Sequence, residues 1–333
     1  GLREVRYQEP ATHLDAAVDG SNPYFDFDPS KCIVCSRCVR ACNEVQGTFA
    51  LTVLGRGFEA QIATGAVDFM SSVCVACGAC VDLCPTGALS DRDRRRQLGT
   101  EVRMTDTICG FCSVGCGIEV AAVEGSIRRV SGIPDAATNR GHLCRKGRYE
   151  HSPDVSWERI TKPMLRDGAG FREVDWDEAV AFISEKVSEI ASNHGPNAFG
   201  AIASTQATNE TNYLLQKFCR TIIGTNNIDS TARFGHLTSA LVMHAANGYG
   251  AGMASFDTVD MAHCFVIAGA NLTVTHPVLG ARIRRAVAKG ARLIVIDPRA
   301  TELAKEADLF LQPLPGTDAT LLNGLVHEMV ESH

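Results

Sequence analysis

The chain has 333 residues and a net charge of −6, from 38 Asp plus Glu against 32 Lys plus Arg. A 45% hydrophobic, 21% charged composition excludes disorder as the main state. The acidic balance and the 6% aromatic content exclude a surface built for nucleic-acid phosphate or base stacking.

Fourteen cysteines need a reason. A disulfide scaffold suits short secreted chains that lack a core. No basic, then apolar, then small-residue leader follows Gly1. The expected setting is therefore cytoplasmic, and at roughly 100 to 200 residues per domain the expected count is about two or three domains.

Residues 1–30 are polar, carry Pro10, Gly20, Pro23 and Pro29, and read as a linker or wrapping segment. Residues 31–90 hold two cysteine runs. Cys32, Cys35, Cys38 and Cys42 form C-x2-C-x2-C-x3-C, and Cys74, Cys77, Cys80 and Cys84 repeat it before Pro85. This is the spacing of two-cluster ferredoxins, in which the fourth cysteine of each run ligates the other cluster. The expected quartets are Cys32, Cys35, Cys38 with Cys84, and Cys74, Cys77, Cys80 with Cys42. Gly78 and Gly87 supply backbone freedom beside them. Zinc is the main rival, but its all-cysteine sites use paired C-x2-C knuckles rather than two intact runs.

Asp91 to Arg96 reads as a solvated connector. Residues 101–155 bring Cys109, Cys112, Cys116 and Cys144 as a third quartet, in a β-rich segment. Alone, that group fits zinc as well; after two clusters, a third is the expected continuation. Ile118 to Val123 and Ile127 to Val130 flank a hairpin signal at Glu124-Gly125-Ser126.

Residues 156–333 alternate helix and strand. Helices are expected over 177–191, 213–223, 278–288 and 319–330. Strands are expected over 198–203, 264–268, 293–296 and 309–311. Phe234 to Phe256 lacks acidic and basic residues, but its histidines, Asn247 and glycines suit a packed interior better than lipid. Cys219 and Cys264 read as buried small hydrophobes. Such alternation predicts a parallel sheet whose polar strand-end turns bind a ligand. None of those turns is a G-x-G-x-x-G or Walker loop.

Together, SNPYFDFDPSKCIVCSRCVRACNEVQGTFAL, CVACGACVDLCPTGAL, CGFCSVGCG, GHLCRKGRYEH, TNETNYLLQKFCRTIIGTNNIDSTAR, GANLTVTHPVLGARIRRAVAKGARLIVIDPR and PGTDATLLNGL carry a family signature. The chain resembles the catalytic alpha subunit of soluble, NAD-linked molybdenum or tungsten formate dehydrogenases. It resembles the large iron–sulfur subunit of respiratory complex I more weakly. The resemblance implies an α+β ferredoxin-like two-cluster domain, a small β-rich [4Fe–4S] domain and an α/β parallel-sheet domain of the molybdopterin oxidoreductase type.

It also implies three [4Fe–4S] clusters and a molybdopterin guanine dinucleotide holding molybdenum or tungsten. The implied partners are a flavin- and NAD-binding iron–sulfur subunit and a small [2Fe–2S] subunit, with no nucleic acid and no membrane span. Lys146 matches the lysine between the third cluster and the pterin. Gly269, Asn271, His276, Asp297, Arg299, Gly316, Thr317 and Asp318 match turns that contact the pterin dinucleotide. His236 matches the catalytic histidine.

Two departures stand out. Gly235 occupies the position of the family's metal-ligating cysteine or selenocysteine, and glycine offers no thiolate. The family also has chain upstream of Gly1 and beyond His333. The expectation is an oxidoreductase subunit not competent for formate oxidation by itself, or a non-catalytic electron-transfer scaffold.

Overall fold

Phe25 and Phe27 alternate with Asp26, and that two-residue period makes strand β1 (Phe25–Phe27). A computed structural model describes residues 12–92, 102–151 and 160–332. β1 pairs antiparallel with β4 (Leu89–Asp91) and sets Phe25 edge-on against Phe69 at 5.1 Å. Burying such a ring stabilises the fold by about 1.5–3 kcal/mol. The described part of 1–30 is therefore more than a linker. The Asp19 carboxylate accepts from Phe69 N–H, and the backbone of Asp19 bonds Phe27 in both directions.

Between these strands lie α1 (Arg37–Arg40), β2 (Leu51–Leu54), β3 (Gln61–Thr64) and α2 (Ala79–Leu83). α1 runs straight into a π-helical turn, Ala41–Gln46. β5 (Arg103–Ile108), β6 (Gly117–Val123) and β7 (Ser126–Gly132) form an antiparallel sheet. Glu124 and Gly125 both have positive φ, as a two-residue hairpin of matching twist requires. α3 (Arg145–Tyr149) follows Cys144 directly. Asp91 and Arg92 of the expected connector belong to the β4 end, where Arg92 pairs with Asp26; 93–96 lie outside the described residues.

Residues Ser156–Met253 form a compact unit of their own. It contains the hairpin β8 (Met164–Asp167) and β9 (Gly170–Glu173), then α4 (Trp176–His194), β10 (Ala201–Ala203), α5 (Asn209–Phe218), β11 (Ile228–Ser230) and α6 (Leu237–Asn247). Asp175 caps α4 by accepting from Glu178 N–H at 2.8 Å. Thr208 caps α5, so that helix starts before Tyr213.

The remaining elements are α7 (Phe256–Met261), β12 (Cys264–Ala268), α8 (Leu272–Thr275), α9 (Pro277–Ala288), β13 (Arg292–Ile296), α10 (Glu302–Lys305), β14 (Leu309–Leu311) and α11 (Asp318–Glu331). β12, β13 and β14 lie side by side as a parallel sheet over Ile283, Leu293, Val295 and Leu303.

Residues 156–333 are thus not one unit. Ala254–His333 joins Gly1–Val155, because α9 is tied to the cysteine-bearing part. Arg285 Nη1 donates to Val45 O and buried Arg282 donates to Ala137 O. β10 pairs with β11 rather than with the three-stranded sheet, and Ile202 is exposed instead of buried. Cys219 is buried, but Cys264 is exposed, because β12 is an edge strand on which only Ile267 is buried and Phe265 packs partly against the core. The stretch 234–256 is not interior to this chain either. Phe234 is 99% exposed and α6 buries no residue. Lack of charge makes burial inexpensive but supplies no element to bury against. Among the described residues no helix is long and apolar enough to cross a membrane.

Candidate metal and cofactor sites

The chain closes three cavities around cysteines, all within the unit that holds residues 1–155. Cys32, Cys35, Cys38 and Cys84 line the first, with Phe27 and Ile62. Cys74, Cys77, Cys80 and Cys42 line the second, with Phe25 and Phe69. Cys109, Cys112, Cys116 and Cys144 line the third, with Val114, Leu143 and Val278. Local backbone explains each loop. Val34 and Ser36 in the first run, and Ala76 and Gly78 in the second, all take positive φ. Those reversals fold the first two cysteines inward, and the third sits in the first turn of the helix that follows. The helix then carries the fourth cysteine away; four residues of rise move Cys42 about 6 Å from Cys38 along the axis, to the other cavity.

Backbone N–H groups point at the sulfurs. Ala50 N–H donates to Cys42 Sγ at 3.1 Å, and those of Val34, Ala76 and Leu89 donate to Cys32, Cys74 and Cys84 at 3.4 Å. Such bonds favour thiolate over thiol. Burial acts the other way. It pushes the Cys38 thiol up to about 11, and those of Cys77 and Cys116 to about 12. Cys84 is the exception, since donors from Leu89, Thr86 and Ala88 outweigh burial and hold it below the usual range. Buried thiolates need cationic compensation, which is what a metal centre supplies. Among the described residues no group of three or more His, Cys, Asp or Glu could hold a single metal ion. All the cysteines are free of disulfides.

Lys146 lines the third cavity beside Thr275 and Pro277. A larger cavity of about 470 Å³ touches Cys74 and Cys77 on one side and Cys144, Lys146 and Arg284 on the other. His276 sits against the third loop, within hydrogen-bond reach of Ser113 Oγ at 2.8 Å, with its other ring nitrogen on Thr275. Sequence spacing cannot pair Ser113 with a residue 163 positions away.

The strand-end turns gather at the carboxyl ends of β12, β13 and β14. Gly269 and Gly316 have positive φ there. Asn271 accepts from Thr273, and Thr317 donates to Leu314 O. Asp318 opens α11. Arg299 is exposed, whereas Asp297 is 2% exposed and accepts from Arg299 N–H at 2.8 Å. Asp297 therefore shapes its own turn, with that oxygen spent inside the protein.

Gly235 and His236 lie in the other unit, between β11 and α6. A Cβ at Gly235 would meet only Ala232 O at 3.9 Å and Thr231 O at 4.0 Å. The backbone thus has room for a side chain there. His236 Nε2 faces Gly250 O at 3.4 Å.

Residue patterns alone did not single out Arg148, Tyr149 or His142. Arg148 is 4% exposed and binds Asp82 at 2.5 Å, with Asp91 at 3.7 Å. Burial opposes its charge, but Tyr149, Asp82 and Asp91 outweigh burial and hold its pKa above the ordinary value. His142 is fully enclosed; burial, then Arg285 and Arg282, lower its pKa to about 4. The available signal was only their place in GHLCRKGRY, beside Cys144.

Comparison with known proteins covers three successive stretches of the chain. Residues 22–90 match the NADH-quinone oxidoreductase subunit 3 ferredoxin-like domain. Residues 102–152 match the Molybdopterin oxidoreductase Fe4S4 domain, and 159–333 the Molybdopterin oxidoreductase family. The chain is 32% identical over 364 residues to "Probable oxidoreductase YjgC" of Bacillus subtilis (strain 168), covering 97% of this chain and 37% of that protein. It is 31% identical over 350 residues to a "Putative formate dehydrogenase" of Staphylococcus aureus (strain USA300), covering 93% and 36%. The chain thus spans little more than a third of these relatives' length. Acetylene hydratase from Pelobacter acetylenicus shares the fold, with a TM-score of 0.58 at 23% identity over 68% of this chain and 32% of that one.

Proposed function

The chain belongs to the molybdopterin oxidoreductase family, and from that premise we propose that it is the electron-transfer part of a formate-dehydrogenase-like enzyme. The observation that carries this reading is the set of three cavities, each lined by four cysteines. We assign one [4Fe–4S] cluster to each. When bound, such clusters carry single electrons, and a pterin-held molybdenum or tungsten exchanges electron pairs with substrate.

The chain's own residues then have definite tasks. The twelve cysteines supply the ligands, and backbone N–H groups offset their charge. Phe25, Phe27, Phe69, Val114 and Leu143 exclude water. Lys146 lines the third cavity, where its ammonium would offset the anionic charge of a cluster and of a pterin held beside it. Gly269, Asn271, His276, Arg299, Gly316, Thr317 and Asp318 hold the pterin dinucleotide, with Arg299 suited to pyrophosphate. Asp297 orients that turn. A flavin- and NAD-linked iron–sulfur subunit and a small [2Fe–2S] subunit are the proposed partners, in the cytoplasm.

Metal analysis tests the assignment. About 12 irons per chain are expected, four for each quartet, together with molybdenum or tungsten. A zinc-loaded, colourless chain would overturn it.

Gly235 favours a second reading, a scaffold whose metal site has lost its thiolate. It predicts about 12 irons without molybdenum or tungsten. Because the backbone accepts a Cβ at this position, Gly235→Cys separates the two. In a chain holding molybdenum or tungsten, it is expected to raise formate-dependent dye reduction on the order of a hundredfold, about 2.7 kcal/mol of barrier. Unchanged turnover in such a chain would remove formate from the proposal.

A further inference from the structure

α3 begins at Cys144, on the third cavity, and ends at the second. Its last residues, Arg148 and Tyr149, press on the loop between Cys77 and Cys80. A Cβ on Gly78 would run into Arg148 Nε and Cδ, and into the Tyr149 hydroxyl at 2.6 Å. Arg148 thus approaches that loop's backbone as closely as glycine allows. Its guanidinium is buried, charged and held by Asp82 and Asp91, which lie on the far ends of α2 and β4. Tyr149 stacks on Tyr24 at 4.6 Å, and Tyr24 hydroxyl donates to Glu150 at 3.5 Å, which fixes the end of the helix.

A fixed positive charge beside a metal centre favours the form that carries one more electron. Resting on the cluster assignment above, we infer that Arg148 is a positioning residue of a second kind. It raises the reduction potential of the centre held by Cys42, Cys74, Cys77 and Cys80, so that this centre is the preferred acceptor of electrons arriving by way of Cys144. One electron leaves the third centre for each that enters the second. No bond or proton changes hands. Ordinary packing would explain burial of the arginine alone. It does not explain a glycine cleared for it and a charge kept inside the fold.

The test is a redox titration of the iron-loaded chain with dithionite and mediators, followed by electron paramagnetic resonance. The signal of the second centre is identified as the one lost in Cys77→Ala. Arg148→Met is expected to lower its midpoint by at least the equivalent of a tenfold change in the reduced-to-oxidised ratio, 59 mV for one electron. Arg148→Lys, which keeps the charge, should recover most of that shift. Asp82→Asn removes a neighbouring negative charge and should move the midpoint upward. Opposite signs for Arg148→Met and Asp82→Asn distinguish electrostatics from damage. If Arg148→Met fails to load iron, Arg148→Lys and Asp82→Asn still decide. The inference is overturned if the midpoint stays in place in loaded Arg148→Met or in Asp82→Asn, or if these two variants move it the same way. Absence of any cluster signal from the unmodified chain would instead overturn the cluster assignment itself.

Discussion

Cys84→Ala is expected to strip the metal centre from the loop of the other cysteine run. Cys84 follows Cys74, Cys77 and Cys80 in sequence, yet its side chain lines the cavity of Cys32, Cys35 and Cys38. The Leu89 N–H that donates to its sulfur would be left without that acceptor. Three thiolates and a water-accessible corner cannot hold a cubane as four do. Cys42→Ala should do the reciprocal, emptying the cavity of Cys74, Cys77 and Cys80. Each variant is expected to fall from about 12 to about 8 irons per chain, but to lose a different paramagnetic signal. The signal lost in Cys84→Ala should be the one lost in Cys35→Ala. If it is instead the one lost in Cys77→Ala, the crossed assignment is wrong.

Gly78→Ser is expected to disable the second centre while leaving the first intact. The two cysteine loops provide their own control. Ser36 holds the equivalent place in the first loop, with φ of 60° against 75° at Gly78. Serine is therefore compatible with the backbone. What differs is the neighbour, since a Cβ at Gly78 collides with Arg148 and with the Tyr149 hydroxyl. Neither can retreat easily, because Arg148 is anchored on Asp82 and Tyr149 is stacked on Tyr24. Overpacking of this kind costs about 1–3 kcal/mol. The expected readouts are a lower denaturation midpoint and loss of about four irons. Full iron loading in Gly78→Ser would show that Arg148 and Tyr149 do not constrain the loop.

Much of the fold was legible before any coordinates. The helices over 176–194 and 277–288 and the three strands 264–268, 292–296 and 309–311 follow from apolar period, caps and turn residues. The errors share a cause. Cys264 and Phe234 belong to stretches whose apolar or uncharged character suggests an interior, yet each is exposed. Hydrophobicity states what burial would be worth. It does not state which surface arrives to provide it. The polar segment before Cys32 reads as a linker or wrapping segment, and the short alternation of Phe25 and Phe27 is too brief to announce a strand. Two alternate aromatics make a strand only once β4 supplies hydrogen bonds from 64 residues away.

The cysteine spacing lies at the local end of this range. A C-x2-C-x2-C loop constrains its three sulfurs through a handful of dihedrals, and the next turn of helix fixes where the fourth points. Such short-range geometry survives in sequence because few alternatives fit the covalent chain. The sequence by itself therefore determined the twelve cysteines, their spacing, and glycine at 235. Only the tertiary structure decided that residues 254–333 join the cysteine-bearing unit, that Ser113 meets His276, and that Arg148 lies against Gly78. These contacts join residues 70 to 240 positions apart. Their energies depend on shared burial and charge compensation, and neither exists until the elements have packed.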